Sequence, residues 1–316
     1  FFFDTRAHLM ADAAPKVLTV CLSPTLQKTC VLEGLVEDEV NRCTSVRLDA
    51  SGKGINCTRV LVQLGAKVIH LTQLGGCFRD KFLQMCAEDS LDVAWVDSGC
   101  DIRFCYTLLN TSKRTSTEIV EESPAVAPEV GQSILQRYTE LLPAVQAVVI
   151  SGSKAKGFAA DLYPTMVQLA KAQGKVVVLD YRKDDLLQSL PHRPDVVKPN
   201  WAEFVETFFP GQELVDTDAQ AQQRVTEKML QLSQEHGTHV IITRGGKPTL
   251  YTAPDQTVKH VTPEVLKAVN TIGCGDSLTA GIAYALTTGQ GLEDAIRVGQ
   301  NCAAQNAQCL RPGVIR

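Results

Sequence analysis

Short β-rich apolar runs, each closed by a turn signal, set the rhythm of the chain. They cover residues 17–22, 68–74, 147–150, 176–179, 196–197 and 240–242. The closing signals are Ser23-Pro24, Gly75-Gly76, Ser151-Gly152, Asp180, Lys198-Pro199-Asn200 and Thr243 to Gly246. Runs this short and continuous predict strands buried on both faces. Between them, apolar residues at helical spacing predict helices over residues 56–64, 135–142, 162–172 and 225–232. Strand and helix therefore alternate, which predicts an α/β fold of three layers, α/β/α, around a mainly parallel central sheet.

Two stretches, residues 29–48 and 104–120, alternate apolar and polar positions with period two instead. That pattern predicts half-exposed antiparallel strands. Together they predict a small β-sheet lid, and an exposed lid predicts a homodimer formed through it. In open α/β sheets ligands bind beyond the carboxyl ends of the strands. Ser23-Pro24, Gly75-Gly76, Ser151-Gly152, Lys198-Pro199-Asn200 and Thr243 to Gly246 should therefore converge on one crevice.

Composition narrows the class without changing this picture. Hydrophobic residues make up 44% and charged residues 21% of the chain, which excludes intrinsic disorder. A length of 316 residues suits two domains or one large α/β domain with an insertion. No repeat or low-complexity linker divides residues 16–316, so they are read as one domain carrying its lid strands. Residues 1–15 are read as a flexible leader. Phe1-Phe2-Phe3 runs straight into Asp4, Arg6 and His8, unlike a signal peptide. The formal net charge is -4, against dominant electrostatic binding to nucleic acid or an anionic membrane. No apolar run approaches the ~18 residues of a membrane helix. Eleven scattered cysteines without a C-x-x-C pair predict reduced thiols and a cytoplasmic protein. His236 and His239 lack a third ligand nearby and read as a helix end.

Three segments carry chemistry. Residues 270–277 read Asn-Thr-Ile-Gly-Cys-Gly-Asp-Ser before a small-residue helix. Backbone N–H groups around Gly273, Cys274 and Gly275 at a helix start make an anion hole for a polyphosphate. Asp276 beside it suits a general base on an incoming hydroxyl. The same spacing also fits an Asp N-cap on a tight turn. Ser51-Gly52-Lys53-Gly54-Ile55-Asn56 also opens a helix. Gly52 permits close backbone approach, Lys53 offers a cation to an anionic group, and Asn56 suits hydroxyls. It lacks the G-K-[ST] spacing of a Walker A loop, and a solvated glycine turn fits it too. Lys198-Pro199-Asn200-Trp201-Ala202-Glu203 places Asn200 and Glu203 one helical turn apart. They can orient water around Mg²⁺ or close a capping box, and the two readings are compatible.

In this order the segments resemble the ribokinase-like carbohydrate kinases, the PfkB family. Residues 48–56 look like its N-terminal glycine signature and residues 270–276 like its C-terminal one. Glu39 to Arg42, Thr117-Glu118-Ile119, Ser151 to Ser153 and the Lys198 segment support the match. The details look most like the phosphosugar branch, 1-phosphofructokinase and tagatose-6-phosphate kinase. The resemblance implies ATP-dependent transfer of a γ-phosphate to a hydroxyl of a phosphosugar. It implies Asp276 as base, with Gly273, Cys274 and Gly275 as anion hole. Gln27, Gly52, Lys53, Asn56, Arg103 and Ser153 would hold the acceptor. Lys198, Asn200, Thr243, Gly245, Thr271, Gly273 and Gly275 would lie along the nucleotide. Asn200 and Glu203 would place Mg²⁺ through water, and some relatives bind a monovalent cation near the Asn270 loop.

The departures from the family pattern fall on the acceptor side. Gln27 stands where the family carries an Asp for sugar hydroxyls, Ser51 replaces a glycine, and Cys105 replaces an Asn. Lys154-Ala155-Lys156-Gly157 replaces L-P-x-G. The expected reaction is fructose 1-phosphate to fructose 1,6-bisphosphate, with tagatose 6-phosphate or another acceptor as the alternative. A non-catalytic sugar-phosphate or nucleotide sensor is the reading from another class, and retention of Asp276 argues against it.

Overall fold

The computed structural model describes residues 14–264 and 267–316. Residues 1–13 of the expected leader lie outside this range. Pro15, its last member, already belongs to the fold, because its carbonyl accepts from Lys67 N at 2.8 Å.

The strands are β1 (Lys16–Cys21), β2 (Thr25–Leu32), β3 (Ser45–Ser51), β4 (Lys67–Leu74), β5 (Asp92–Asp97), β6 (Arg103–Asn110) and β7 (Thr115–Val120). They continue with β8 (Ala147–Ser151), β9 (Val176–Asp180), β10 (Val196–Val197), β11 (His239–Arg244), β12 (Lys247–Thr252) and β13 (Val258–Val261). The helices are α1 (Lys53–Gln63), α2 (Arg79–Glu88), α3 (Pro128–Leu141), α4 (Leu162–Ala172) and α5 (Lys183–Ser189). After them come α6 (Trp201–Phe208), α7 (Ala219–His236), α8 (Cys274–Thr287) and α9 (Leu292–Ala307).

One sheet runs in the order β13-β12-β11-β10-β9-β8-β1-β4-β5. From β11 to β5 every pairing is parallel, and only β12 and β13 run antiparallel. The apolar runs therefore became buried strands, as their lack of alternation requires. Their side chains split between two cores. Val148 and Ile150 of β8 join a cluster with α3, α4, α6 and α7. Ala147 and Val149 join a second cluster with α1, α8 and α9. Each fully buried Val or Ile is worth about 1.5–3 kcal/mol relative to exposure.

The second sheet has the order β3-β2-β6-β7 and matches the expected lid. One feature differs from expectation: β2 and β6 pair in parallel, and only the outer pairs are antiparallel. The segment between β6 and β2 in sequence is long enough to pass through the main sheet, which a parallel pairing needs. The period-two pattern also breaks at 38–42, which forms the turn between β2 and β3. A third apolar cluster, with Leu26, Ala50, Ile55 and Phe82, ties the lid to α1 and α2.

Helix α8 is held by close contact with α9. A Cβ on Gly281 would lie 2.6 Å from the Gly299 Cα, so neither helix has room for a larger residue there. Gly281→Leu should cost about 1–3 kcal/mol through overpacking. Thermal unfolding should register this as a drop in Tm of about 2–10 °C. An unchanged Tm would show that the helices separate freely.

Candidate active site

A cavity of about 440 Å³ opens where the carboxyl ends of β9, β10 and β11 meet the lid and the starts of α1 and α8. Of the turns expected to converge, Lys198-Pro199-Asn200 and Thr243 reach it because the parallel sheet aligns their strand ends, whereas Ser23-Pro24, Gly75-Gly76 and Ser151-Gly152 do not line it. Gln27, Gly52, Lys53, Asn56, Arg103, Lys198, Asn200, Glu203, Thr243, Thr271, Gly273, Gly275 and Asp276 all line it. Three expected residues do not. Ser153 is exposed beyond the wall, Gly245 sits at the tip of the β11–β12 hairpin, and Cys274 faces away. The Cys274 sulfur instead accepts from Asn306 Nδ2 at 3.4 Å.

Gly273 precedes α8 with φ +82, a left-handed conformation that favours glycine. A Cβ there would lie 3.0 Å from Gly313 N, so the C-terminal strap presses on the turn. Cys274 N is used by the turn itself, donating to Thr271 O at 3.3 Å. The N–H groups of Gly275 and Asp276, in the first turn, have no intrahelical acceptor. They are the donors available to an anion, with the helix dipole behind them.

Asp276 is only 7% exposed. Burial pushes its carboxyl up, Lys53 pulls it down, Asp180 pushes it up again, and the balance is about 6. It therefore stays ionised near neutral pH yet is basic enough to take a proton. Asn56 Nδ2 donates to Asp276 Oδ2 at 2.8 Å. Asn56 was expected to meet hydroxyls directly. Its amide is engaged by Asp276 on one side and by Ser51 Oγ, 3.1 Å from Oδ1, on the other.

Lys53 sits in the middle of the site. Its Nζ lies 3.4 Å from Asp180 Oδ1 and 3.3 Å from Glu203 Oε1. Asp180 first, then Glu203 and Asp276, raise its affinity for the proton against the opposing effect of burial. Lys198 is buried under the same carboxylate, with Nζ 3.2 Å from Asp180 Oδ2. Burial alone would push Asp180 up, but Lys198 and Lys53 outweigh it and hold its carboxyl below the usual range. Thr279 Oγ1 also donates to Asp180 Oδ2 at 2.9 Å. Asp180 is the site residue that sequence reasoning passed over as a turn marker. Its signal was a carboxylate at the end of an otherwise apolar strand, buried from Val177 onward.

Asn200 and Glu203 form the capping box of α6. Asn200 Oδ1 accepts from Glu203 N, and Glu203 Oε2 accepts from Asn200 N, each at 2.9 Å. Among the described residues no three His, Cys, Asp or Glu side chains gather into a direct metal cage. The local charge is three carboxylates, Asp180, Glu203 and Asp276, against two ammonium groups, Lys53 and Lys198. A polyphosphate entering a centre with excess negative charge needs a further cation. Both oxygens of Asp180 and of Glu203 are already partnered, so a divalent ion fits here through its water shell and the phosphates.

The acceptor side is built from the lid. Cross-strand pairing puts Gln27, Cys105 and Val120 side by side on the face turned to the cavity, with Glu118 two residues along. Arg103 Nε donates to Thr25 Oγ1 at 3.0 Å, and Nη1 to Glu121 O at 3.1 Å, which fixes the guanidinium at the rim. Gln27 Nε2 donates to Thr107 Oγ1 at 2.7 Å, so its NH₂ is turned into the sheet. Thr25 and Glu118 were not anticipated as lining residues. They reach the cavity only through strand register.

Comparison with solved structures places this geometry among known folds. Phosphofructokinase-2 from Escherichia coli, in complex with potassium, superposes with TM-score 0.82 at 19% identity, over 95% of each chain. The same protein in complex with fructose-6-phosphate gives 0.80 at 19% identity, over 93% of this chain and 94% of that one. A protein described as a possible 1-phosphofructokinase from Thermotoga maritima gives 0.82 at 22% identity, over 94% and 93%. These likenesses fix the fold as ribokinase-like. The sequence profile of the pfkB family carbohydrate kinases matches residues 25–314, nearly the whole chain, and so this protein belongs to that family of hydroxyl-directed phosphotransferases.

Proposed function

We propose that the protein is an ATP-dependent kinase for a ketohexose phosphate, converting fructose 1-phosphate to fructose 1,6-bisphosphate. The observation that carries this reading is Asp276, a buried carboxylate at the first turn of α8, poised near 6 beside unpaired N–H groups. In this reading Asp276 takes the proton of the acceptor hydroxyl while its oxygen bonds to the γ-phosphorus. The bond from that phosphorus to the bridging oxygen breaks, and ADP leaves with the electron pair. The α8 N-terminus, with Gly273 and Gly275, stabilises the charge on the transferring group. Lys53, held between Asp180 and Glu203, sits where that group passes rather than at the sugar phosphate. Arg103 and Gly52 hold the acceptor phosphate, and the Gln27 carbonyl meets a sugar hydroxyl. Lys198, Asn200, Thr243 and Thr271 line the nucleotide side.

Asn200 and Glu203 would hold Mg²⁺ through water, where the ion would supply positive charge to offset that of the nucleotide phosphates. The potassium bound by the Escherichia coli relative supports a monovalent cation near the Asn270 loop. The neutral Gln27 favours a comparison of acceptors, because a neutral amide discriminates hydroxyl patterns differently from a carboxylate.

Register puts Val46 and Ile119, both more than half exposed, on the lid face turned away from the cavity. This supports a homodimer formed by two lids packing outward face to outward face. Residues 16–316 then act as one kinase unit with the lid as its moving part.

ADP release with Mg-ATP should be seen with one of fructose 1-phosphate, tagatose 6-phosphate or fructose 6-phosphate. Asp276→Ala should lower kcat by about 10²–10⁴-fold. ATP binding without turnover on any acceptor would favour the sensor reading instead. Because the folded Asp276 carboxyl lies near 6, activity should be full above pH 7 and fall tenfold per pH unit well below 6. His70, pushed down to about 3 by burial, stays neutral throughout and does not add a limb. For the lid, Ile119→Lys should shift sedimentation velocity from dimer to monomer. A wild-type monomer would dismiss that interface.

A further inference from the structure

Among the described residues Asn56 is the one side chain hydrogen-bonded to Asp276, and its orientation is dictated from behind. Asn56 is 3% exposed and lies in the first turn of α1. One turn further on, Arg59 is 4% exposed and spends its whole fork on acceptors that are buried or half-buried. Its Nε donates to Asp89 Oδ2 at 2.9 Å and its Nη2 to Ala50 O at 2.7 Å. Its Nη1 donates to Pro312 O at 3.0 Å and to Asn56 Oδ1 at 3.3 Å. Asp89 is clamped in turn by Arg311, whose Nη1 donates at 2.7 Å. The guanidinium is therefore fixed by α2, the lid strand β3 and the C-terminal strap together.

We propose that Arg59 is a positioning residue for phosphoryl transfer, acting through Asn56 on Asp276. A guanidinium facing Asn56 can be met only by the amide oxygen, because guanidinium has donors and no acceptor. The NH₂ group must then point at Asp276. Two consequences follow for the carboxylate. Oδ2 is occupied by a donor, which leaves Oδ1 as the oxygen that faces a hydroxyl. The donated hydrogen bond also favours the ionised form, offsetting part of the push from burial. The other groups acting on Asp276 are Lys53 of α1, Asp180 of β9 and Lys198 beyond β10. Cys21 of β1, Cys57 of α1 and Cys274 of α8 also lie within its field. None of these six contacts the Asn56 amide, so their influence stays constant when Arg59 is changed.

This inference rests on Asp276 as the proton acceptor, and the test separates the two. Arg59→Met keeps the buried stem but removes every donor, while Asp89 retains Arg311. It should lower kcat about 10- to 100-fold with KM values changed less than about threefold, as for a misplaced reacting group. In a double-mutant cycle with Asn56→Ala, the double variant should be no slower than Asn56→Ala alone. Arg59→Lys, which keeps a cation, should recover part of the loss and serves as the cycle partner if Arg59→Met does not fold. A second readout needs no turnover. With ¹³C-labelled aspartate, the Asp276 carboxyl signal, identified by its loss in Asp276→Asn, should titrate higher in Arg59→Met and Asn56→Ala by the same amount. Additive losses, or an unmoved titration, would overturn the proposal. Undiminished turnover in Asp276→Ala would overturn Asp276 as the proton acceptor while leaving the titration result standing.

Discussion

The structure depends on gathering three carboxylates and two ammonium groups in one place at the carboxyl edge of the parallel sheet, with Asp180, Asp276 and Lys198 buried and Lys53 and Glu203 half-buried. Burying any one of these charges alone would be prohibitively costly. They survive because each ammonium meets a carboxylate and Asp180 is shared between both. Asp276 is the member left incompletely compensated, which is why its proton affinity rises while that of Asp180 falls. This imbalance of charge suits the site to an incoming polyphosphate with its own cation. Stability and chemistry are thus set against each other at one aspartate.

Around this cluster the chain closes from three directions. The C-terminal strap lies between the turn before α8 and the start of α1. Gly313 N donates to Asn306 Oδ1 at 2.6 Å, and Asn306 Nδ2 donates to Ile272 O at 2.9 Å. Arg311 reaches Asp89 below and approaches Asp49 of the lid, with Nε 2.8 Å from Oδ1. The lid strand is therefore linked through Arg311 and the C-terminal strap to the loop that presents the α8 N–H groups.

Much of the architecture could be read from the chain. The six apolar runs are strands, the four helical patterns lie on helices, and residues 162–172 coincide with α4. The capping box at Asn200 and Glu203 is present because it needs only residues three apart. Helix α9, the edge strands β5 and β13, and β12 beside the latter were not singled out, since partly exposed elements carry weaker apolar patterns. The parallel pairing of β2 with β6 was also hidden, because period-two alternation is the same in either direction. Thirteen of the expected site residues meet at the cavity, but Ser153, Gly245 and Cys274 do not. Those three sit beside motif residues in sequence, and neighbouring positions in a strand end, hairpin or helix turn point in different directions.

The sequence by itself determined what depends on near neighbours: strand and helix identity, the crevice at the strand ends, and the glycine turn that starts α8. Each follows from steric and hydrogen-bonding preferences within a few residues. Only the tertiary structure decided the electrostatics. Lys53 and Asp180 are 127 residues apart, and Asn56 and Asp276 are 220 apart. No local pattern tells a lysine whether it will face a sugar phosphate or a buried aspartate. That choice is made when the sheet brings distant strand ends together, because a charge removed from water must take whichever partner the fold supplies.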